Sequence, residues 1–485
     1  MATNQREITK NYLKNSLLEL ECHFTWNLPQ EATELPETED RIENQVEYLS
    51  IKSKMTLYNL LAYVKHLRGQ NQEALENLEN AEESIQQDYP EQVEKRSIIT
   101  WGNYAWIYYH IDRLPEAQTY LDKVEASCKK LSSTFQYKVD LPEIDCEKGW
   151  SLLKFGGRNY ERAKASFERA LQADPEHPEF NTGFAIVMYR MDDFHKDGTR
   201  SKSLSLGPLK KALSLDPEST FLKVLLALKL QDIEESSQGE KYIKEALDQV
   251  SSEPYVLRYA AKFYRREDNP EKAIELLKKA LKLVPTSAFL HHQMGLCYRT
   301  QMIQIKKATR NKPRGKNREE VDRLVRSAIF YFEAAIKQKP LFLVAYLDLA
   351  NMYSEVGQLR EAEDLFKKAL GLEPVRKEDQ QKAHFHYSRF LEFHRRAGDV
   401  AIHHYLEGIK INTENCTKLI EALQKLIAKR MSQNSSDTKC LGALGFIHKL
   451  KGEKGEALEY YEKALKQDPG NAEYISALLE LRLSI

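Results

Sequence analysis

A pattern of small and aromatic residues returns along most of the chain and restricts its fold more than any other feature. In the stretch 341–374, LFLVAYLDLANMYSEVGQLREAEDLFKKALGLEP, the fixed points are Tyr346, Leu349, Ala350, Tyr353, Gly357, Ala362, Phe366, Ala369 and Pro374. Apolar residues three and four apart predict two amphipathic helices, with Gly357 in the turn and Pro374 stopping the second. Ala350, Ala362 and Ala369 let those helices approach closely, while Tyr346, Leu349 and Phe366 fill the gaps between neighbouring pairs. The template returns at Tyr58–Gly69–Ala74–Leu78, at Trp101–Tyr104–Ala117–Leu121, at Leu257–Tyr264–Ala273–Leu277 and at Leu441–Gly452–Ala457–Tyr461. Half-matches surround Ala163–Phe167–Ala170 and Ala212–Pro217.

This is the tetratricopeptide signature, a helix–turn–helix unit of about 34 residues. Many weak matches in register make an all-α repeat protein the expectation. With only 20 Gly and 16 Pro in 485 residues, a loop-rich β protein is excluded. Spacing is uneven, however: Ala74, Ala117 and Ala163 stand 43 and 46 residues apart. One repeat is also split, its first helix marked by Met294, Gly295 and Tyr298 and its second by Ala328, Phe332 and Ala335. A basic insertion with helix-breaking turns near Pro313-Arg314-Gly315 separates them. The expected architecture is therefore a helical superhelix, interrupted and curled around a basic central cavity. Its segments are read as residues 1–250, 251–375 lining the cavity, and 376–485.

Charge is balanced, 72 basic against 72 acidic residues, which on its face argues against a polyanionic partner. Its distribution says otherwise. Residues 72–94 hold eight acids and no Lys or Arg, whereas 257–318 hold sixteen Lys or Arg and four acids. Arg258, Lys262 and Arg265 fall at i, i+4 and i+7, hence on one helical face, and Lys418, Lys425 and Lys429 form a similar row. Each row alone reads most simply as a solvated helix face. Tyr255 and Tyr259 interleave with the first, and Phe289, His292 and Gln293 follow one helix later. Convergent cations with flat rings and directional donors suit single-stranded nucleic acid.

No signal-peptide core, apolar run of membrane length or Cys pair at metal or disulfide spacing occurs, so a cytoplasmic protein with reduced thiols and no membrane partner is expected. P-loop, G-x-S-x-G and H-E-x-x-H motifs are absent, which speaks against an enzyme.

Seven strings give a more specific reading: CHFTWNL (22–28), YNLLAYVKHLRGQN (58–71), TWGNYAWIYYH (100–110), CEKGWSLLKFGG (146–157), YVLRYAAKFYRR (255–266), SAFLHHQMGLCYRTQMIQIKKAT (287–309) and HYSRFLEFH (386–394). Together they closely resemble the IFIT family, the interferon-induced proteins with tetratricopeptide repeats, from about residue 15 to the end. The resemblance implies a cytosolic antiviral effector. Such proteins grip the 5′ end of foreign single-stranded RNA, sequester it and block its translation. It further implies a 5′-phosphate site of Arg41, Gln45, Lys154, Arg190, Tyr255, Arg258, Tyr259, Arg265, His292 and Gln293. Tyr160, Arg190 and His292 match positions beside the first ribose hydroxyls, where crowding excludes a 2′-O-methyl group. Leu49, Trp150, Glu179 and Ile186 match the family's cap site, and Lys418, Lys425 and Lys429 a row along the RNA backbone.

Family members divide between 5′-triphosphate RNA and caps lacking ribose 2′-O-methylation, and this chain carries features of both. Ser219 and Phe221 stand where cap-recognising members have Asn and Tyr. Arg41 stands where the triphosphate type has Thr, while ELRLSI at the C-terminus resembles the triphosphate type. Glu37 matches a carboxylate that helps hold magnesium on the phosphates, but Lys339 replaces its acidic companion. Leu458, Tyr461, Glu462 and Leu465 match a stretch used for binding related members. That stretch supports a second reading, a protein–protein scaffold that assembles with relatives or itself.

Overall fold

The computed structural model describes residues 2–30, 35–48, 54–194, 204–250, 253–373, 377–413 and 416–483. Among them the chain forms twenty-four α-helices and no strand. Two compact units result: Met1–Asn269 with Lys278–Leu283, and Pro270–Leu277 with Val284–Ile485. The division falls inside the stretch 251–375 that the sequence reading takes as one segment.

In the first unit the antiparallel pairs follow the repeat positions: Met55–Leu67 with Asn71–Asp88, Val93–His110 with Leu114–Lys130, and Pro142–Lys154 with Tyr160–Ala173. Phe167 shows why small residues recur. A Cβ on Gly149 would come within 2.9 Å of its ring, and one on Gly183 within 2.1 Å. Both flanking helices therefore close down onto a fully buried Phe167 because neither has a side chain there. The segment 22–28 pins the same layer. His23 Nε2 lies 3.0 Å from the Ser151 hydroxyl, and Arg162 donates to the Trp26 carbonyl at 2.7 Å.

In the second unit the split repeat is continuous in space. Its helices run Ala288–Ala308 and Lys316–Gln338, and they leave only 309–315 outside helix. The insertion is thus chiefly added helical turns, with Met302, Val321, Leu324 and Val325 extending the apolar cluster of Ala328, Phe332, Leu349 and Met352. Sequence punctuation at Pro313 and Gly315 marks the turn correctly but hides the helix on either side. Further on, Leu343–Glu355 pairs with Leu359–Leu370 and Thr438–Leu450 with Lys454–Gln467. The last helix, Ala472–Leu483, buries Tyr474, Ala477, Leu478 and Leu481. Pro374, the stop expected for one repeat, lies outside the described residues.

Candidate nucleic-acid interface

Four helices of the first unit carry the cationic cluster. Leu35–Tyr48 bears Arg41 and Gln45, and Pro142–Lys154 bears Trp150 and Lys154. Pro178–Phe194 bears Glu179, Ile186 and Arg190, and Pro254–Arg266 bears Tyr255, Arg258, Tyr259, Lys262 and Arg265. The i, i+4 spacing within each pair puts both side chains on one face, and the observed contacts follow from it.

Arg41 donates to the Lys154 carbonyl at 2.7 Å, and the Lys154 ammonium donates to the Gln45 side-chain oxygen. Tyr255 bonds the same Gln45 amide. Arg190 donates to the Tyr259 hydroxyl at 3.1 Å, and the Arg258 guanidinium lies 5.6 Å from the Tyr259 ring centre. Phe221 packs edge-on to that ring at 5.7 Å. Lys154 and Arg190 form no ion pair with a carboxylate among the described residues.

Electrostatics reflect that arrangement. Burial, with Arg190 and Arg41 nearby, brings the Lys154 ammonium down to about 7. Tyr259 first, then Tyr189 and Tyr160, raise Arg190 above its ordinary value in spite of burial. Burial pushes the Tyr259 hydroxyl up, but Arg190, Arg258 and Lys262 together bring it below the usual tyrosine range. Arg190 is thus balanced by phenols. Enclosed positive charge such as that of Lys154 and Arg190, with no carboxylate partner among the described residues, attracts an external anion strongly, and arginine forks match phosphate oxygens. Lys262 belongs to this wall, although only its helical spacing with Arg258 marked it in the sequence.

The residues matched to a cap site sit beside it. Trp150 is half-buried, edge-on to Phe167 at 5.3 Å and with Lys154 5.8 Å from its centre. Ile186 is buried. Glu179 is partly exposed, and its carboxylate lies 3.7 Å from the buried Arg96 guanidinium. Behind Trp150, on the same helix, Glu147 is buried and accepts from the Asn59 amide at 2.8 Å. Nothing in the sequence distinguished Arg96 and Glu147 from surface charges. Leu49 lies outside the described residues, as does the Glu37 side chain. Lys339, at the place of Glu37's companion, is itself a cation 4.9 Å from the Phe289 ring centre, so it supplies no metal ligand. Ser219 caps the helix Thr220–Asp232, its hydroxyl accepting from the Leu222 amide at 3.4 Å.

In the second unit, His292 is buried with Nε2 2.8 Å from Asp348, whose other oxygen accepts from Arg299 at 2.8 Å. That carboxylate fixes the imidazole orientation. Gln293, next along the helix, is half-buried. Lys418, Lys425 and Lys429 are all exposed along Thr417–Met431 and unpaired among the described residues. Tyr461 is buried, against Gly445 and 6.0 Å from Tyr474. Leu458 and Leu465 are half-buried, and Glu462 pairs with Arg482 at 2.8 Å.

Tetratricopeptide repeat models match residues 152–177, 342–372 and 438–471. The chain is 53% identical over 468 residues to the human antiviral innate immune response effector IFIT1, covering 96% of this chain and 97% of that protein. It is 43% identical over 469 residues to human interferon-induced protein with tetratricopeptide repeats 2, covering 95% and 97%. Among solved structures, the human IFIT1 dimer with PPP-AAAA superposes with a TM-score of 0.79 at 52% identity, covering 94% of this chain and 99% of that one. A monomeric mutant of IFIT1 with Gppp-AAAA gives 0.83 at 53%, covering 94% and 100%. Among the described residues, no helix is long and apolar enough to cross a membrane.

Proposed function

The chain belongs to the family of interferon-induced proteins with tetratricopeptide repeats, and from that membership we propose that it binds the 5′ end of foreign single-stranded RNA as an antiviral effector. It sequesters that RNA and so blocks its translation. The observation that carries the reading is the pairing of Lys154 and Arg190, two enclosed cations with no carboxylate partner among the described residues, in one cluster with Arg41 and Arg258. Similarity to proteins solved with triphosphate and capped oligonucleotides supports it.

In this reading Arg41, Lys154, Arg190, Arg258 and Arg265 hold the phosphates, with Gln45, Tyr255 and Tyr259 orienting them. Trp150 and Ile186 flank a cap guanine and Glu179 accepts from its edge. His292 and Gln293 belong to the same phosphate set, Tyr160, Arg190 and His292 meet the first ribose, and Lys418, Lys425 and Lys429 follow the strand. Phosphates shared by both 5′ ends would meet the same cations, so one cluster serves triphosphate and capped RNA alike. The half-buried Leu458 and Leu465, on a helix that also exposes Glu462, serve self-association, in keeping with the dimeric state of a similar solved structure.

The test is equilibrium binding of one short RNA with a 5′-hydroxyl, a triphosphate, a cap on unmethylated ribose and a cap on 2′-O-methylated ribose. Preference for the second and third over the first and fourth is expected. Equal binding of all four would defeat the reading.

A further inference from the structure

The helical hairpin Ala288–Ala308 and Lys316–Gln338 ends in a tip that the 5′-end site does not use. Between 306 and 318 seven of thirteen residues are Lys or Arg and none is acidic. Lys306 pairs with Glu355. The other six, Lys307, Arg310, Lys312, Arg314, Lys316 and Arg318, are all exposed, and none has an ion-pair partner among the described residues. Exposed cations elsewhere are often matched on their own helix, as Lys129 is by Glu125, Lys244 by Glu240 and Lys463 by Glu459. The tip lacks that matching.

The tip is also a built turn. Asn311 donates its amide to the Lys306 carbonyl at 2.7 Å and Arg310 to Lys307 at 3.1 Å, closing the first helix. The Thr309 hydroxyl donates to the Ile305 carbonyl at 2.8 Å, and beyond Pro313 the Arg318 amide reaches Gly315 at 2.9 Å. Met302, Val321, Leu324 and Val325 pack the two helices together just below. The cations therefore project from a fixed support.

Their placement works against the stability of the free protein. Lys316 and Arg318 occupy the first turn of a helix, the end whose unpaired amides are positive, and Glu319 alone in that turn supplies the negative charge favoured there. Gly315 supplies no side-chain cap for those amides. Six like charges within twelve residues also repel one another. An anion would relieve all three costs at once.

We infer that this tip is a second phosphate-binding surface, taking the sugar–phosphate backbone of RNA regardless of its 5′ end. No aromatic or large aliphatic side chain lies within 306–318, so nothing there inserts into a lipid layer or stacks on a base. Charge alone, spaced along an exposed turn, is what a repeating polyanion requires.

The test combines Lys312→Gln, Arg314→Gln and Lys316→Gln in the full chain. Two probes separate the tip from the 5′-end site: a 5′-hydroxyl RNA of about 30 nucleotides and a 5′-triphosphate tetranucleotide. The variant is expected to bind the hydroxyl RNA about tenfold more weakly, with a salt slope shallower by about 2 for three lost single-strand contacts. Tetranucleotide binding is expected to be unchanged, and Lys312→Arg with Lys316→Arg to bind like the parent. Unchanged affinity and slope for the hydroxyl RNA would overturn the inference. Tip-dependent binding to phosphatidylserine vesicles with no tip-dependent RNA binding would overturn it too. Because the hydroxyl RNA bypasses the 5′-end site, failure of that site's reading would leave this result intact.

Discussion

Arg190 donates to the Tyr259 hydroxyl at 3.1 Å, and that phenol is the guanidinium's principal partner. Tyr259→Phe removes the acceptor and keeps the ring that packs on Phe221. Loss of a hydrogen bond to a charged group costs about 1.5–3 kcal/mol. Binding of 5′-triphosphate RNA is expected to weaken by about tenfold or more, by calorimetry or fluorescence anisotropy. Affinity equal to the parent would show that Arg190 is oriented without Tyr259.

Lys154 gives the site a pH dependence. Its ammonium is brought down to about 7 by burial and by Arg190 and Arg41, so above that pH much of it is neutral in the free protein. An anion beside it restores the charged form, and binding then takes up a proton. Affinity for triphosphate RNA should fall as pH rises through 7 to 9. Lys154→Met should flatten that part of the profile. The check is calorimetry in buffers of different ionisation enthalpy, where the parent takes up more protons at pH 8 than the variant.

Trp150 rests on Phe167, which is itself locked between Gly149 and Gly183. Trp150→Ala therefore deletes a face while its support remains. Base–aromatic stacking contributes about 1–3 kcal/mol, so capped RNA is expected to bind about tenfold more weakly, with triphosphate RNA little affected. A parallel loss for both would make Trp150 a packing residue.

Glu147 predicts an opposite proton balance in stability. Burial, with Glu179 adding to it and Asn59 and Arg96 offsetting it in part, pushes its carboxyl from an ordinary 4.5 up to about 7. Between those values the folded state binds more protons than the unfolded one. The stabilising effect of the neutral form is thus complete below about 4.5 and lost as pH rises through 7. Glu147→Gln removes this loss, so its melting temperature relative to the parent should be higher at pH 8 than at pH 5. An offset independent of pH would place the proton elsewhere.

Lys425 is exposed and unpaired among the described residues, which suits a backbone contact. Lys425→Ala should weaken binding of all long RNAs alike and make the salt slope shallower by about 0.7. An unchanged slope would take Lys425 off the RNA path.

Repeat positions were legible because they obey a local rule. Phe167, Phe332 and Phe366 recur at the same place in a helix–turn–helix unit, and each is fully buried. Pairs such as Arg41 with Gln45 were legible too, since four residues along a helix fix a shared face. What spacing cannot encode is the partner across a helix boundary. Arg96, Glu147 and Asn59 lie on three separate helices, and each resembles a surface residue in isolation. Tyr461 shows the reverse ambiguity, because the same spacing serves a repeat position or an exposed motif, and it is buried. The added turns around 309–315 were obscured by Pro313 and Gly315, whose local signal ends a helix without telling how far the neighbouring helices extend.

The phenols around Arg190 bear on how such a protein can change over generations. Arg190 is held by the Tyr259 hydroxyl, with Tyr160 and Tyr189 nearby, so at this guanidinium no built-in rival for an incoming anion stands among the described residues. One carboxylate acquired there would be such a rival, permanently tethered and impossible to dilute away. Exchanges that keep a neutral acceptor beside Arg190 leave the pocket open, whereas a step to Asp or Glu closes it in a single mutation. A lineage pressed by changing pathogens can reshape that lining only while it keeps an uncharged acceptor for Arg190 and keeps acid out.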